Sequence, residues 1–325
     1  MQKHQRESMN ELAIVIPVFN EQSIIARTIQ TIIKELERIE ALHSFEIVII
    51  DDGSSDSTWQ VLTGKLCPVH PEIRAIRLSR NFGKEAALCA GLEIADAQAV
   101  IIMDADLQHP PSLIDKMYRI WRDGQVDIVE AVKRSRGNES KFSSIAAKAF
   151  YAIFSRLSGV DLRNASDFKL MDRRAVDAWK TLPERNVFFR GMSAWMGFER
   201  AQVEFTVAER SGSVSKWNTL SLIKLALTSI AAFSSAPLHL VTMAGVIFIM
   251  FSFLLGMLTT IQHFSGVAVS GFATVILLLL IIGGSIMISL GIIGEYLARI
   301  YDEVKLRPRF VVSEDTKAEA IVSER

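Results

Sequence analysis

Two stretches of this chain contain no Asp, Glu, Lys or Arg: "PLHLVTMAGVIFIMFSFLLGMLTTI" from Pro237 to Ile261, and "FATVILLLLIIGGSIMISLGII" from Phe272 to Ile293. Each reaches the roughly 20 apolar residues that a helix needs to cross a hydrocarbon core. Two such runs predict a pair of transmembrane helices, with the remaining chain folding outside the bilayer. The 50% hydrophobic content of the 325 residues is therefore an average over two unlike parts. The segment between the runs, "QHFSGVAVS", has no Lys or Arg, whereas Lys216 and Lys224 precede the first run and Arg299, Lys305, Arg307 and Arg309 follow the second. The positive-inside bias places both flanks in the cytoplasm. The polar start "MQKHQRESMNE" has no apolar core of a secretory signal, so a cytoplasmic-membrane location is expected, with both termini inside.

Before the first run, short β-branched segments alternate with helical patterns. "LAIVIPV" precedes a helix from about Gln22 to Ile39, "FEIVIID" a helix after Asp56, and "IRAIRLS" a helix from about Lys84 to Ala95, after which comes "AVIIMD". This βαβ alternation predicts an α/β fold with an open, mostly parallel sheet and helices on both faces. In such sheets ligands bind beyond the carboxyl ends of the strands. Asn20 and Glu21, then Asp51 to Ser54, then Arg80 to Lys84, then Asp104 and Asp106 all fall at those ends, so they should line one crevice.

The chemistry of that crevice follows from what it contains. There is neither a Walker lysine motif nor a G-x-G-x-x-G, so phosphate must be neutralised otherwise. Asp104 and Asp106, one residue apart at a strand end, form a small open carboxylate site suited to Mg²⁺ or Mn²⁺ completed by substrate phosphates, and Gln108 could add a ligand. In isolation D-x-D is more often a turn capping the helix near Pro111. Behind a fourth strand, with the acidic turn "DDGSSDS" behind another, the metal and diphosphate reading is favoured. Within "DDGSSDS" part of the chemistry is an Asx-turn and helix cap, which leaves one of Asp51 and Asp52 for a base or ribose. Zero formal net charge argues against a nucleic-acid binder, which needs a basic excess. Cys67 and Cys89 suggest packing residues, and the six histidines have no zinc-ligand spacing.

The motifs "VIPVFNE", "VIIDDGSSDST", "RNFGKEAAL", "DADLQHPP", "SDFKLMDRR", "ERNVFFRG" and "ERSGSVSKW" together resemble the polyprenyl-phosphate glycosyltransferases of family 2, especially the bactoprenol glucosyltransferases of O-antigen modification. The resemblance extends through both apolar runs to "GEYLARIYDEVKLRP". It implies a GT-A-type nucleotide-sugar fold in which Pro17, Phe19, Glu21, Ile50 and Asp52 hold the nucleoside. Asp104, Ala105, Asp106 and Gln108 would hold the metal and diphosphate, and Asp167 is the catalytic-base position. Arg134, Arg210, Ser215 and Lys216 would bind the phosphates of donor or acceptor. Phe19 stands where many relatives have Tyr, which removes a phenolic hydrogen bond but keeps a stacking surface. The implied donor is a nucleotide sugar, UDP-glucose foremost, and the implied acceptor is polyprenyl (undecaprenyl) phosphate.

The remaining segments complete the expected organisation: an N-terminal tail over 1–10, a cytoplasmic transferase domain over 11–216, a juxtamembrane helix over 217–233, the two-helix membrane domain over 234–296 and a cytoplasmic tail over 297–325. Phe142, Ile145, Ala149, Phe150, Ile153 and Leu157 share one helical face, which predicts an amphipathic helix over 142–158, either packed on the core or lying in the membrane interface. Gly283, Gly284, Ser285, Ser289, Gly291 and Gly294 permit close helix packing within one chain or between protomers of a homo-oligomer. Two other functions stay open at this stage. A processive polysaccharide synthase usually carries Q-x-x-R-W, which is absent here, and a non-enzymatic nucleotide-sensing scaffold has no need of Asp104, Asp106 and Asp167 together.

Overall fold

The computed structural model describes residues 9–124, 126–133, 155–156, 166–185, 187–205, 236–266 and 271–318. The chain divides into two compact units, Met1–Ser155 with Val160–Lys216 and Pro308–Arg325 in one, and Arg156–Gly159 with Trp217–Arg307 in the other.

The first unit is built on an eight-stranded sheet in the order β7-β5-β6-β4-β1-β2-β3-β8. Its parallel centre comprises β1 (Asn10–Val18), β2 (Phe45–Asp51), β3 (Ile73–Leu78) and β4 (Ala97–Ile102). These are the four strands read from the apolar runs, and their helices are α1 (Ile25–Glu37), the short α2 (Thr58–Val61), α3 (Lys84–Ile94) and α4 (Leu113–Arg122). On one side of the centre, β5 (Ile128–Lys133) and β7 (Arg200–Phe205) pair parallel, and β6 (Lys169–Asp172) runs antiparallel between β5 and β4. Helices α5 (Arg173–Thr181) and α6 (Phe189–Trp195) lie between β6 and β7 in the chain.

The two faces of the sheet are set by the period-2 alternation of β1. Leu12, Ile14, Ile16 and Val18 enter the cluster that contains Ile25, Ile29 and Ile32 of α1 and Ile114 and Met117 of α4. Val15 points to the other face, against α3, whose buried positions include Ala87, Ala90 and Gly91. A Cβ at Gly91 would lie 2.2 Å from Val15 Cγ1, so the absence of a side chain is what lets this helix approach the sheet.

The far edge differs from the sequence-based expectation. Residues 297–325 were expected to form a tail. Instead the chain stays helical to Val304, and Val312–Asp315 (β8) then pairs antiparallel with β3. The reason is tertiary: "VSED" has weak strand propensity of its own, but it meets the open edge of β3 with complementary charges.

The second unit contains the long helices α7 (Ala236–Phe264) and α8 (Phe272–Val304). Leu238–Gln262 and Ile281–Val304 are long and apolar enough to cross a membrane. Leu240, Ile249, Phe253, Met287 and Ile288 on them are exposed. The charge-free run ends at Ile293, yet α8 continues eleven residues to Val304 with Glu295, Arg299, Asp302 and Glu303 on it. The expected amphipathic helix over 142–158, apart from Ser155 and Arg156, and the juxtamembrane helix over 217–233 lie outside the described residues.

Candidate active site

The carboxyl ends of β1, β2, β3 and β4 meet at a cleft of about 320 Å³ lined by Pro17, Phe19, Glu21 and Asp52 on one part and by Lys84, Asp104, Ala105 and Asp106 on another. The loops forming it are bound to one another by side chains. Asn20 takes up φ +57°, a left-handed conformation that Asn tolerates better than most residues, and its Oδ1 accepts the Ser55 N–H at 2.8 Å. In return Asn20 N–H donates to Ser54 Oγ at 2.9 Å and Glu21 N–H to Thr58 Oγ1 at 2.9 Å. The first acidic motif and "DDGSSDS" are therefore tied into one wall, on which Phe19 is 43% exposed.

The two aspartates of the second motif have separate tasks. Asp51 accepts Ser54 N–H at 3.0 Å and stands 3.4 Å from Arg77 Nε. Asp52 accepts the backbone N–H groups of Phe82 and Gly83 at 2.7 and 2.9 Å, so its first task is to hold the loop after β3. Burial raises both carboxyls above the ordinary range against these hydrogen bonds. Gly53, directly after them, has φ +68°, and a Cβ there would meet the backbone of Arg80 at 2.5 Å.

The turn after β4 is fixed equally firmly. Thr28 Oγ1 on α1 donates to the Ala105 carbonyl at 2.7 Å. Leu107 has φ +55°, a costly conformation for a non-glycine residue that tends to cluster at functional sites. Gln108 N–H donates to Asp106 Oδ1 at 3.0 Å, and His109 is buried with its ring 5.1 Å from that of Phe168.

Asp167 is buried beside this turn. Arg190 of α6 grips it in bidentate fashion, Nε to Oδ1 at 2.7 Å and Nη2 to Oδ2 at 2.9 Å. Lys84 Nζ reaches Asp167 Oδ2 at 2.8 Å and Asp104 Oδ1 at 2.6 Å, so one ammonium joins the two carboxylates. Burial by itself raises an Asp carboxyl, but Arg190 and Lys84 together outweigh it and hold Asp167 well below the usual range. The Lys84 ammonium is raised: burial opposes this, and the nearby Asp104 and Asp167 overcome it. Arg190 rests on a further layer, because Ser193 Oγ donates to its carbonyl at 3.1 Å and accepts from the buried Lys169 Nζ at 2.6 Å.

The residues present fit a divalent cation. Glu21 is raised by burial first and then by Asp106, Asp56 and Asp104, which marks a spot where negative charge accumulates on the cleft wall. Among the described residues no three His, Cys, Asp or Glu converge as a closed metal cage. Asp104, whose Oδ1 is paired with Lys84, and Asp106, whose Oδ1 accepts the Gln108 N–H, would each offer a second carboxylate oxygen to a cation that shares substrate phosphates.

Of the residues expected at this site, Pro17, Phe19, Glu21, Asp52, Asp104, Ala105 and Asp106 come together around the cleft. The Ile50 side chain does not reach it: fully buried in β2, it lies toward Gly91 of α3. The Gln108 side chain is likewise not among the lining groups. Arg134, Arg210, Ser215 and Lys216 lie outside the described residues. The roles of Lys84 and Arg190 could not be read from the sequence. Both stand inside quoted motifs, but pairing them with Asp167 needs contacts 83 and 23 residues apart.

The model of glycosyl transferase family 2 matches residues 13–179. An uncharacterized glycosyltransferase of Synechocystis sp. is 40% identical over 94% of this chain and 95% of its own length. The SfII prophage-derived bactoprenol glucosyl transferase of Shigella flexneri is 36% identical over 93% of this chain and 97% of its own. Among solved structures, mannosyl-3-phosphoglycerate synthase from Rubrobacter xylanophilus matches 71% of this chain and 75% of that one at 18% identity and a TM-score of 0.48. The sheet, its cleft and the family match define a glycosyltransferase built on an open, mostly parallel α/β sheet. The chain belongs to glycosyltransferase family 2.

Proposed function

We propose that the protein transfers one hexose, glucose foremost, from a nucleotide sugar to polyprenyl phosphate at the cytoplasmic membrane face, inverting the anomeric centre. The observation that carries this reading is the bridge from Asp104 through Lys84 to Asp167, which joins a donor cleft to a buried carboxylate. The names of the bactoprenol glucosyl transferases of Shigella flexneri and Shigella phage SfV, each 36% identical to this chain, favour the lipid phosphate acceptor and glucose. The two long apolar helices and the basic flanks support a membrane-anchored transferase domain facing the cytoplasm.

In this reading Phe19 stacks on the base, Glu21 and Asp52 orient the nucleoside, and Asp104 and Asp106 hold Mg²⁺ or Mn²⁺ with the diphosphate. When bound, the metal stabilises the negative charge that develops on the departing nucleoside diphosphate. Arg134, Arg210, Ser215 and Lys216 are the candidates for the acceptor phosphate. A phosphate oxygen of the lipid forms the bond to the anomeric carbon as the bond to the donor's β-phosphate oxygen breaks.

A phosphate monoester has a second pKa of about 6, so the acceptor already carries its nucleophilic charge at neutral pH. Asp167, held ionised by Arg190 and Lys84, is a poor proton acceptor there. Its task is to fix Lys84 and to stabilise positive charge on the sugar.

The deciding experiment supplies labelled UDP-glucose, UDP-GlcNAc, UDP-galactose and GDP-mannose with short-chain polyprenyl phosphate and Mg²⁺ or Mn²⁺. One labelled sugar per lipid, released by mild acid, is expected. Label in a polymer, or only as free sugar with every donor, overturns the reading.

A further inference from the structure

The strand β8 does more than cover an edge. Its backbone pairs with β3, and Arg74 of β3 holds Asp315 in bidentate fashion at 3.1 and 2.7 Å. These contacts dock the strand. Glu314 has a different set of partners: Oε2 accepts Trp59 Nε1–H at 3.0 Å, and Oε1 accepts Arg77 Nη1–H at 3.1 Å. Arg77 does not stop at the strand. Its Nη2 donates to the Ser54 carbonyl at 3.2 Å, and its Nε lies 3.4 Å from Oδ2 of the fully buried Asp51, which has no hydrogen-bond partner at that atom. Asp51 and Ser54 in turn fix the "DDGSS" turn, and Ser54 Oγ receives the N–H of Asn20 beside Phe19 and Glu21. A continuous path of charge-assisted and neutral hydrogen bonds thus runs from a residue near the C-terminus to the wall of the donor cleft.

We propose that Glu314 is a positioning residue for donor binding: through Arg77 it sets the turn that receives the nucleoside, so the segment leaving α8 tunes affinity for the nucleoside diphosphate. This rests on the reading of the cleft as a nucleotide site. The physical ground is that Arg77 has two hydrogen-bond acceptors, Glu314 and the Ser54 carbonyl, and Asp51 as an ion-pair neighbour, so removing Glu314 frees the guanidinium to turn away from Ser54 and Asp51. Asp51 is then left buried with a weaker counter-charge, and the turn it anchors relaxes. Asp315 supplies an internal control, because it docks the same strand through Arg74 without touching Arg77.

The test uses the full-length protein in detergent micelles, with UDP and GDP as separate probes in the presence of Mg²⁺, titrated by calorimetry. Glu314→Ala is expected to weaken binding of the preferred nucleotide about fivefold to tenfold, the cost of one charge-assisted link. Donor KM should rise in proportion while kcat and acceptor KM hold. Asp315→Asn should lower the melting temperature comparably and leave nucleotide affinity unchanged. If Glu314→Ala does not fold, Glu314→Gln carries the measurement, since it removes the charge that holds Arg77 while retaining size, and it should weaken binding in the same direction. Arg77→Met combined with Glu314→Ala should be no worse than Arg77→Met alone. An unchanged affinity in Glu314 variants overturns the proposal and leaves the nucleotide reading intact. Equal losses in the Asp315 and Glu314 variants also overturn it, because docking alone then explains the effect. Failure of the unaltered protein to bind either nucleotide removes the nucleotide reading and the proposal with it.

Discussion

A carboxylate that accepts three charge-assisted hydrogen bonds has little basicity left, and Asp167 is in that position between Arg190 and Lys84. Replacing it by Asn keeps the shape, removes the charge and leaves two cations facing a neutral amide. The Asp167→Asn variant should lose about 10²- to 10³-fold in kcat, the usual size for a preorganised electrostatic group. Its defect should be the same at pH 6 and pH 9, which a rate profile checks; recovery at high pH would mean that proton removal was the missing task. Gly53 makes a second demand at this scale. With φ +68° and the backbone of Arg80 and Asn81 closer than 3 Å to any Cβ, Gly53→Ala should cost about 2–3 kcal/mol in urea unfolding and weaken nucleotide binding. The acids of the cleft were legible in the sequence because the βαβ rule sends strand ends to one address. Their cationic partners were not, because Lys84 at the start of α3 and Arg190 in α6 meet Asp167 only through tertiary contacts across 83 and 23 residues. Nor was the fate of Ile50: the strand residue immediately before the acidic turn can face either the cleft or the core, and Ile50 is fully buried against α3.

At the scale of elements, the central strands and helices could be read from their patterning, since β1, β2 and β4 are mostly apolar runs of the kind that a sheet covered on both faces requires, and β3 carries its two arginines between buried apolar positions. The short strands could not. β6 carries a lysine in the middle of a hydrophobic layer, and β8 is mostly polar, so both owe their place to partners far away in the chain. Lys169 is fully buried and bonds Glu130 of β5 at 2.7 Å and Ser193 of α6 at 2.6 Å, which pins three elements with one ammonium. Lys169→Met leaves the buried Glu130 carboxylate with only Arg200, at 3.8 Å, as a counter-charge and should cost about 3 kcal/mol in thermal or urea unfolding. Adding Glu130→Gln should recover a good part of that loss, since the damage lies in the poorly compensated buried charge rather than in lost attraction. If the single variant proves as stable as the unaltered protein, the ion pair has no such role.

For the whole molecule, the shifted carboxyls set the limits of the pH range. Asp167 has a folded pKa below its unfolded one, so its contribution is present above the ordinary Asp value near 4 and is lost as pH falls through the folded value. Glu85, raised to about 7 chiefly by burial despite the Phe189 N–H it accepts, works in the opposite sense. An acid whose folded pKa exceeds its unfolded 4.5 binds protons more tightly when folded, so stability declines as pH rises from about 4.5 to about 7 and stays reduced above. Glu85→Gln should therefore flatten the decline between pH 5 and 8 and gain roughly 1–2 kcal/mol at pH 8. Melting temperatures taken across that range for both proteins check the sign.

The position of β8 in the chain also bears on how the molecule is made. A ribosome delivers β1 to β7 first, then both long apolar helices, and only afterwards the strand that closes the sheet beside β3. Until that last segment emerges, the edge of β3 stays unpaired and Arg77 lacks its Glu314. Completion of the transferase domain therefore comes only after both long apolar helices have left the exit tunnel, so the sheet is the last part of the molecule to be finished.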